Sequence, residues 1–236
     1  VAYEVAGTGP PLVLIHGLAG SSRWWRHNVP VLAPHFRVHT VDLIGFGGSR
    51  GGARFALDEA PAILGAWMRQ LELGPAAVAG HSMGGLIAAD LAAGAPELVS
   101  RLVLVNAAAA PLGRRYVRHA WGLLGVLRYA RISLLPVLFA DSLRAGPWTM
   151  LGAIRQILGA DITPRLGAIA APTLVVWGEH DRLLPLALGR QIQARIPGAR
   201  LEVIRGAGHN PMWERPAAFN AAVLAFLGEN RAGAPA

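Results

Sequence analysis

The stretch Val78-Ala79-Gly80-His81-Ser82-Met83-Gly84-Gly85 decides the reading of this chain. Before it, Ala76 to Gly80 reads as a short buried strand. After it, Leu86-Ile87-Ala88-Ala89-Asp90-Leu91 continues at helical spacing. A serine on the tight turn between them is expected to have strained backbone angles, and Gly80 and Gly84 let strand and helix approach without a side-chain clash. The Ser82 hydroxyl would then stand exposed above a sheet at the positive end of a helix, where developing negative charge is favoured. Gly-x-Ser-x-Gly alone matches many sequences by chance; a strand before it and a helix after it make the pattern specific.

Working outward, strand and helix signals alternate, which argues for an α/β fold with a mostly parallel sheet and helices on both faces. Strands are expected at Pro11 to Ile15, Phe36 to Asp42, Leu102 to Val105, Pro172 to Trp177 and Arg200 to Ile204. Helices are expected at Trp24 to Ala33, Leu57 to Leu71, Pro185 to Ile196 and Ala217 to Leu227. Residues 107 to 166 break this rhythm with short helical patterns and no clear strand. A stretch of about 60 residues is longer than a simple crossover needs. The expected organisation is a core formed by residues 1–106 and 167–236, with a small helical cap inserted at 107–166. Glu229 to Ala236 reads as a frayed tail.

Composition narrows the function classes. With 236 residues, 53% of them hydrophobic and 15% charged, the chain can bury one large core. The net charge is +8 and all 22 basic residues are arginine. A basic balance raises nucleic-acid or membrane-surface binding, but the arginines are scattered, with a local cluster only at Arg114, Arg115 and Arg118. No nucleic-acid partner is expected, and coding bias of a GC-rich bacterial genome explains the arginine, alanine, glycine and proline richness. No apolar run reaches the length of a membrane span. The richest region, Trp121 to Ala140, is broken by Arg128, Arg131 and Pro136. The start lacks the pattern of a signal peptide, so a cytoplasmic location is expected. The absence of cysteine excludes disulfides, thiolate metal sites and a cysteine nucleophile.

A serine needs a base to take its proton and a third group to orient that base. Candidates lie on loops after two later strands: Asp181 in Gly178-Glu179-His180-Asp181-Arg182, and His209 in Gly206-Ala207-Gly208-His209-Asn210. The chain order is Ser, Asp, His. Glu179 is a fallback acid. Asp42 reads as a turn-holding carboxylate, His16 as a brace of its loop, and His81 and His180 as loop-orienting residues. The glycines from Gly45 to Gly51 fit a dinucleotide loop poorly, because no helix opens after Arg50. The histidines do not have the spacing of a metal pair. Neither a cofactor nor a metal is expected.

With these motifs in hand, the chain resembles the α/β-hydrolase superfamily along essentially its whole length. The resemblance rests on His16-Gly17-Leu18-Ala19-Gly20-Ser21-Ser22, Asp42-Leu43-Ile44-Gly45-Phe46-Gly47-Gly48-Ser49, the Ser82 turn, Gly178 to Arg182 and Gly208-His209. Within the superfamily it is most similar to small esterases, C–C bond hydrolases of the meta-cleavage type and cofactor-free haloperoxidase-like proteins. The resemblance implies Ser82 as nucleophile, His209 as general acid and base, Asp181 as the orienting carboxylate, and the amides of Leu18 and Met83 as the oxyanion hole. Some relatives place the acid where this chain has Asn106, which supports Asp181. A serine in place of an aspartate at the turn argues against dehalogenase or epoxide hydrolase chemistry. The resemblance also implies an N-terminal hairpin, of which only Val1 to Val5 precede the Gly7-Thr8-Gly9-Pro10 turn, so one edge strand is expected to be missing.

The expected activity is hydrolysis of carboxylic esters with small to medium hydrophobic acyl groups, through an acyl-enzyme. Trp24, Trp121, Leu135, Phe139, Leu183 and Met212 are the expected substrate-binding residues, with Trp25 and Trp148 in a wider apolar set. The alternatives are C–C hydrolysis, with Arg114, Arg115, Arg118, Arg128 or Arg131 holding an acidic dienol, and a slow-turnover ligand receptor on the same scaffold. The partner is expected to be a small-molecule ester and the protein a monomer or homodimer. The modest cap suits gating better than action on lipid droplets.

Overall fold

The computed structural model describes residues 1–51, 54–109 and 131–229. Among them, strands β1 (Ala2–Ala6), β2 (Pro11–Ile15), β3 (Arg37–Asp42), β4 (Ala76–His81), β5 (Val99–Val105), β6 (Thr173–Gly178) and β7 (Arg200–Ile204) build one sheet in the order β1-β3-β2-β4-β5-β6-β7. The edge strand β1 runs antiparallel to β3, with Tyr3 opposite Val41; every other pairing is parallel. Helices α1 (Val29–Leu32), α2 (Ala60–Gln70), α3 (Met83–Gly94), α4 (Leu135–Ala145), α5 (Pro147–Gly159), α6 (Leu186–Arg195), α7 (Pro211–Glu214) and α8 (Pro216–Gly228) connect or follow the strands.

Strands β4 and β6 are buried at every position, as expected of parallel strands covered on both faces. Because successive side chains alternate between faces, each central strand feeds two cores. Val13, Ile15, Val78, Leu102, Leu104, Val175 and Trp177 point into one, with α2, α3 and α6. Leu12, Leu14, Val103, Val105, Leu174 and Val176 point into the other, with Trp25 and the Phe219 and Val223 side chains of α8.

The helix expected over Trp24 to Ala33 is interrupted. A 3₁₀ turn covers Ser22–Trp25, and α1 starts afresh at Val29. Pro30 lacks the N–H that a continuous helix needs there, but it fits the first turn of a new one. Asn28 at the break is fully buried and donates to the Met212 carbonyl (3.1 Å) and the Asn220 side chain (2.8 Å), which ties the break to α7 and α8. The described part of 107–166 contains no strand: α4 and α5 form a helical pair separated by Gly146 at φ 78.

Candidate active site

Parallel strands bring the loops at their carboxyl ends to one edge of the sheet, and that edge is where ligands bind in open α/β folds. Strands β2, β4, β5 and β6 are successive neighbours, so Leu18 (after β2), Ser82 (after β4), Asn106 (after β5) and Asp181 (after β6) lie along one edge. His209 follows β7 and joins them.

Ser82 has φ 51 and ψ −113, outside the regions a serine normally occupies. The surroundings hold it there. Its N–H donates to the Val105 carbonyl (2.9 Å), and its own carbonyl accepts from Gly85, Leu86 and Ala108 at 3.0–3.1 Å. Such strain costs about 1–3 kcal/mol and persists only when its neighbours over-determine it. The glycines make the turn possible. A Cβ on Gly80 would lie 2.2 Å from the Gly84 carbonyl oxygen, and one on Gly84 would lie 2.4 Å from that of His16.

The Ser82 hydroxyl is partly accessible, and its Oγ is 3.2 Å from His209 Nε2. On the other side of the ring, His209 Nδ1–H donates to Asp181 Oδ2 at 2.8 Å. That bond fixes the tautomer and leaves the Nε2 lone pair facing the serine. Asp181 is buried and takes three further donors: Leu183 and Leu184 N–H on Oδ1, each at 2.8 Å, and the Asn106 amide on Oδ2. Asn106 has φ 42, and its other amide atom accepts from Gly178 N–H at 3.2 Å. The structure thus gives this residue, noted in the sequence only as an unfilled acid position, a direct hold on the carboxylate. Glu179, the fallback acid, is exposed and accepts from Gly206 N–H at 2.9 Å.

Met83 opens α3, so its N–H has no acceptor four residues back within the helix. The turn carrying Leu18 packs against the serine: a Cβ on Gly17 would lie 3.1 Å from Ser82 Cβ. His16 braces that turn. It is fully buried, donates from Nδ1 to the Gly17 carbonyl (2.7 Å) and accepts Leu43 N–H at Nε2 (3.1 Å), and burial lowers its pKa. Asp42 holds its own turn as expected, taking Ser22 N–H (2.6 Å) and Gly48 N–H (2.7 Å). In the Gly45–Gly51 loop the amides of Gly45, Phe46 and Ser49 donate to the carbonyls of Ser49, Leu43 and Phe46.

Two buried groups support the His209 loop, and sequence spacing alone revealed neither link. His81 Nε2–H donates to the His209 carbonyl at 2.8 Å, while its Nδ1 has no partner. Its pKa is pushed well below 6.5, first by burial and then by the charge of His209. Glu214 accepts the N–H groups on either side of His209, from Gly208 and, at 3.3 Å, from Asn210. Burial raises the Glu214 pKa despite those bonds.

The expected substrate-binding residues divide. Trp24 is buried with its ring 5.6 Å from that of His81, and Leu183 touches Asp181 through its amide. Leu135 is half-buried at the start of α4. Phe139 is 67% exposed, and Met212 is buried in the same core cluster as Trp24, Trp25 and Phe219. Trp121, Arg114, Arg115, Arg118 and Arg128 lie outside the described residues. Arg131 is exposed. Among the described residues, no three His, Asp or Glu side chains are grouped to hold a metal, and no helix is long and apolar enough to cross a membrane.

The seven-stranded sheet, the strained serine turn and the histidine–carboxylate pair at its carboxyl edge define an α/β hydrolase. The chain belongs to the alpha/beta hydrolase family, whose sequence pattern matches residues 12–222. It is 34% identical to a putative non-heme bromoperoxidase, BpoC, of Mycobacterium tuberculosis over 98% of this chain and 99% of that one. The crystal structure of BpoC superposes with a TM-score of 0.77 and 31% identity, covering 97% of this chain and 95% of that one. The chain is also 32% identical to a 2-hydroxy-6-oxo-6-phenylhexa-2,4-dienoate hydrolase of Burkholderia cepacia, covering 94% and 89% of the two chains. To a pimeloyl-[acyl-carrier protein] methyl ester esterase of Nitrosomonas europaea it is 30% identical, covering 93% and 96%.

Proposed function

We propose that this protein is a serine hydrolase that cleaves carboxylic esters with small to medium hydrophobic acyl groups. The observation that carries the reading is the continuous Ser82–His209–Asp181 hydrogen-bonded line, with spacings of 3.2 and 2.8 Å, on a serine at positive φ. In this reading Ser82 Oγ attacks the ester carbonyl while His209 Nε2 takes its proton. The amides of Leu18 and Met83 receive the negative charge on the carbonyl oxygen. The carbon–oxygen bond then breaks, and the proton on Nε2 passes to the departing alcohol. A water molecule repeats the sequence on the acyl-enzyme, giving its proton to His209, and Ser82 takes that proton back as the acid leaves. Asp181 holds the ring and stabilises its charged form. Residues 107–166 serve as the cap over a core of 1–106 and 167–236.

Intact-protein mass after exposure to a fluorophosphonate, beside a Ser82→Ala control, tests the nucleophile. One adduct on the parent and none on the control is expected, with ester turnover lowered about a millionfold in the control. A folded parent that takes no label refutes the proposal. The similarity to the Burkholderia cepacia dienoate hydrolase favours C–C cleavage as the second reading. An ester panel graded by acyl length, run beside a dienol diketone, separates the two.

A further inference from the structure

The helical pair α4–α5 is apolar on both sides. Ala153 and Ile157 of α5 are buried in one core and Val137 and Leu138 of α4 pack against the other, polar bonds add to that hold, and the side facing water is apolar as well. On the inner side, Asp141 is buried and bound by Ser21 Oγ (2.8 Å) and Arg23, while Gln156 accepts Leu57 N–H (2.7 Å). On the outer side, Phe139 and Leu143 of α4 stand four residues apart, 67% and 66% exposed, and Trp148 at the start of α5 is 83% exposed. Leu151, Ile154 and Leu158 continue the stripe at helical spacing, and Ile132 lies just before α4. Seven of the eleven large hydrophobic side chains that are exposed among the described residues fall in this one segment. An ordinary surface helix turns its apolar stripe inward and its charges outward.

The charges around the stripe are mainly positive, with the exposed Asp161 just beyond α5 as the exception. From residue 131 to 160 the chain has Arg131, Arg144 and Arg155 but a single acid, Asp141, which is buried. Arg144, 3.6 Å from Asp141, also lines an open cleft with Arg50 and Arg54, and that lining contains no acid. An exposed tryptophan with aliphatic neighbours and a cationic border is the arrangement by which helices lie in the interface of an anionic bilayer. A protein partner would need matched shape and paired polar groups. The stripe itself offers no polar groups to pair, whereas a lipid surface needs only the apolar side chains and the cationic border.

We propose that the outer face of α4–α5 docks this protein on an anionic lipid surface, with Phe139, Leu143 and Trp148 entering the headgroup layer and arginines meeting the phosphates. The proposal is independent of the reaction catalysed at Ser82. It departs from the sequence expectation, in which Phe139 and Trp148 belonged to a pocket and net charge alone raised membrane binding. The anchoring is interfacial, with no spanning segment.

The test is flotation of the full chain with vesicles of phosphatidylcholine containing phosphatidylglycerol in about equal parts, beside pure phosphatidylcholine, at about 50 mM and about 500 mM salt. The parent should float with the anionic vesicles at low salt and shift its tryptophan emission to the blue. A Phe139→Ser/Leu143→Ser/Trp148→Ser variant should bind at least about tenfold more weakly, as should Arg131→Gln/Arg155→Gln. Both change exposed side chains only, and thermal melts equal to that of the parent show that the fold is kept. The proposal is overturned if the parent stays with the soluble fraction, or if the triple variant binds as the parent does. It is also overturned if the same face proves to hold two copies together, seen as a concentration-dependent dimer lost in the triple variant while vesicles bind neither protein.

Discussion

Replacing His81 with glutamine should remove part of the protein's sensitivity to acid. The imidazole is buried and neutral, with its pKa held well below 6.5, whereas in the unfolded chain it titrates near 6.5. Below that pH the unfolded chain binds a proton that the folded chain refuses, so stability falls as the pH falls. For a ring that stays neutral in the fold, lowering the pH from about 7.5 to about 5.5 removes about 1.4 kcal/mol. His16, also buried with a lowered pKa, acts in the same direction. A glutamine side chain can present its N–H to the His209 carbonyl, which accepts from His81 at 2.8 Å, but it does not titrate. Urea unfolding of parent and His81→Gln at several values between about pH 8 and about pH 5 reads the slope of stability against pH, and groups common to both proteins cancel in the difference. The variant should be shallower by up to about one proton's worth. Parallel lines for the two proteins would refute the assignment of His81 as a buried neutral base.

Asn106→Ala strips Asp181 of one donor and Gly178 N–H of its acceptor; it should cost about 1.5–3 kcal/mol in denaturant unfolding and lower ester turnover. A Cβ on Gly178 would sit 1.8 Å from the Gly208 carbonyl oxygen, so Gly178→Ala must displace the residue before His209. Fluorophosphonate labelling of that variant should slow about a hundredfold, and a rate within about threefold of the parent would contradict the packing argument. Glu214→Gln places an N–H donor against one of the two N–H groups that the carboxylate now accepts, and should cost about 1–3 kcal/mol. Because the folded Glu214 pKa is raised above 4.5, its contribution is fully present below pH 4.5 and is lost as the pH rises through the folded value. The Gln variant should lack that decline.

The parts of the fold that rest on local pattern were legible. β4 and β6 read as strands because parallel strands buried on both faces give continuous apolar runs, and the Ser82 turn read as strained because glycines flank it. Asp181 and His209 stood out as motifs on loops after strands, and the structure brings them within hydrogen-bond reach of one another, with His209 also within reach of Ser82. What was not legible depends on direction in space. Trp24 and Trp148 look alike in the sequence, yet one is buried against His81 and the other faces water. The sequence showed short helical patterns within 107–166 but not which side of each helix faces inward. The buried Ala153 and Ile157, with the Asp141–Ser21 bond between residues 120 apart, define that side.

The same distinction explains why His81 and Glu214 matter. A proton shuttle must present its ring to a nucleophile on one side and a carboxylate on the other, and misplacement by about 1 Å can cost about a hundredfold in rate. Asp181 fixes the imidazole through Nδ1, but a single bond to the ring leaves the backbone beneath it free to rock. The flanking N–H groups of Gly208 and Asn210 are held by Glu214, and the His209 carbonyl is held by His81, so the main chain is restrained on both sides of the residue and at the residue itself. His81 precedes Ser82 in the chain, which makes the histidine's restraint part of the same turn that strains the serine. His209 and Ser82 are therefore positioned through the same turn, and a substitution that loosens His81 should change the Ser82–His209 spacing while leaving the His209–Asp181 bond in place.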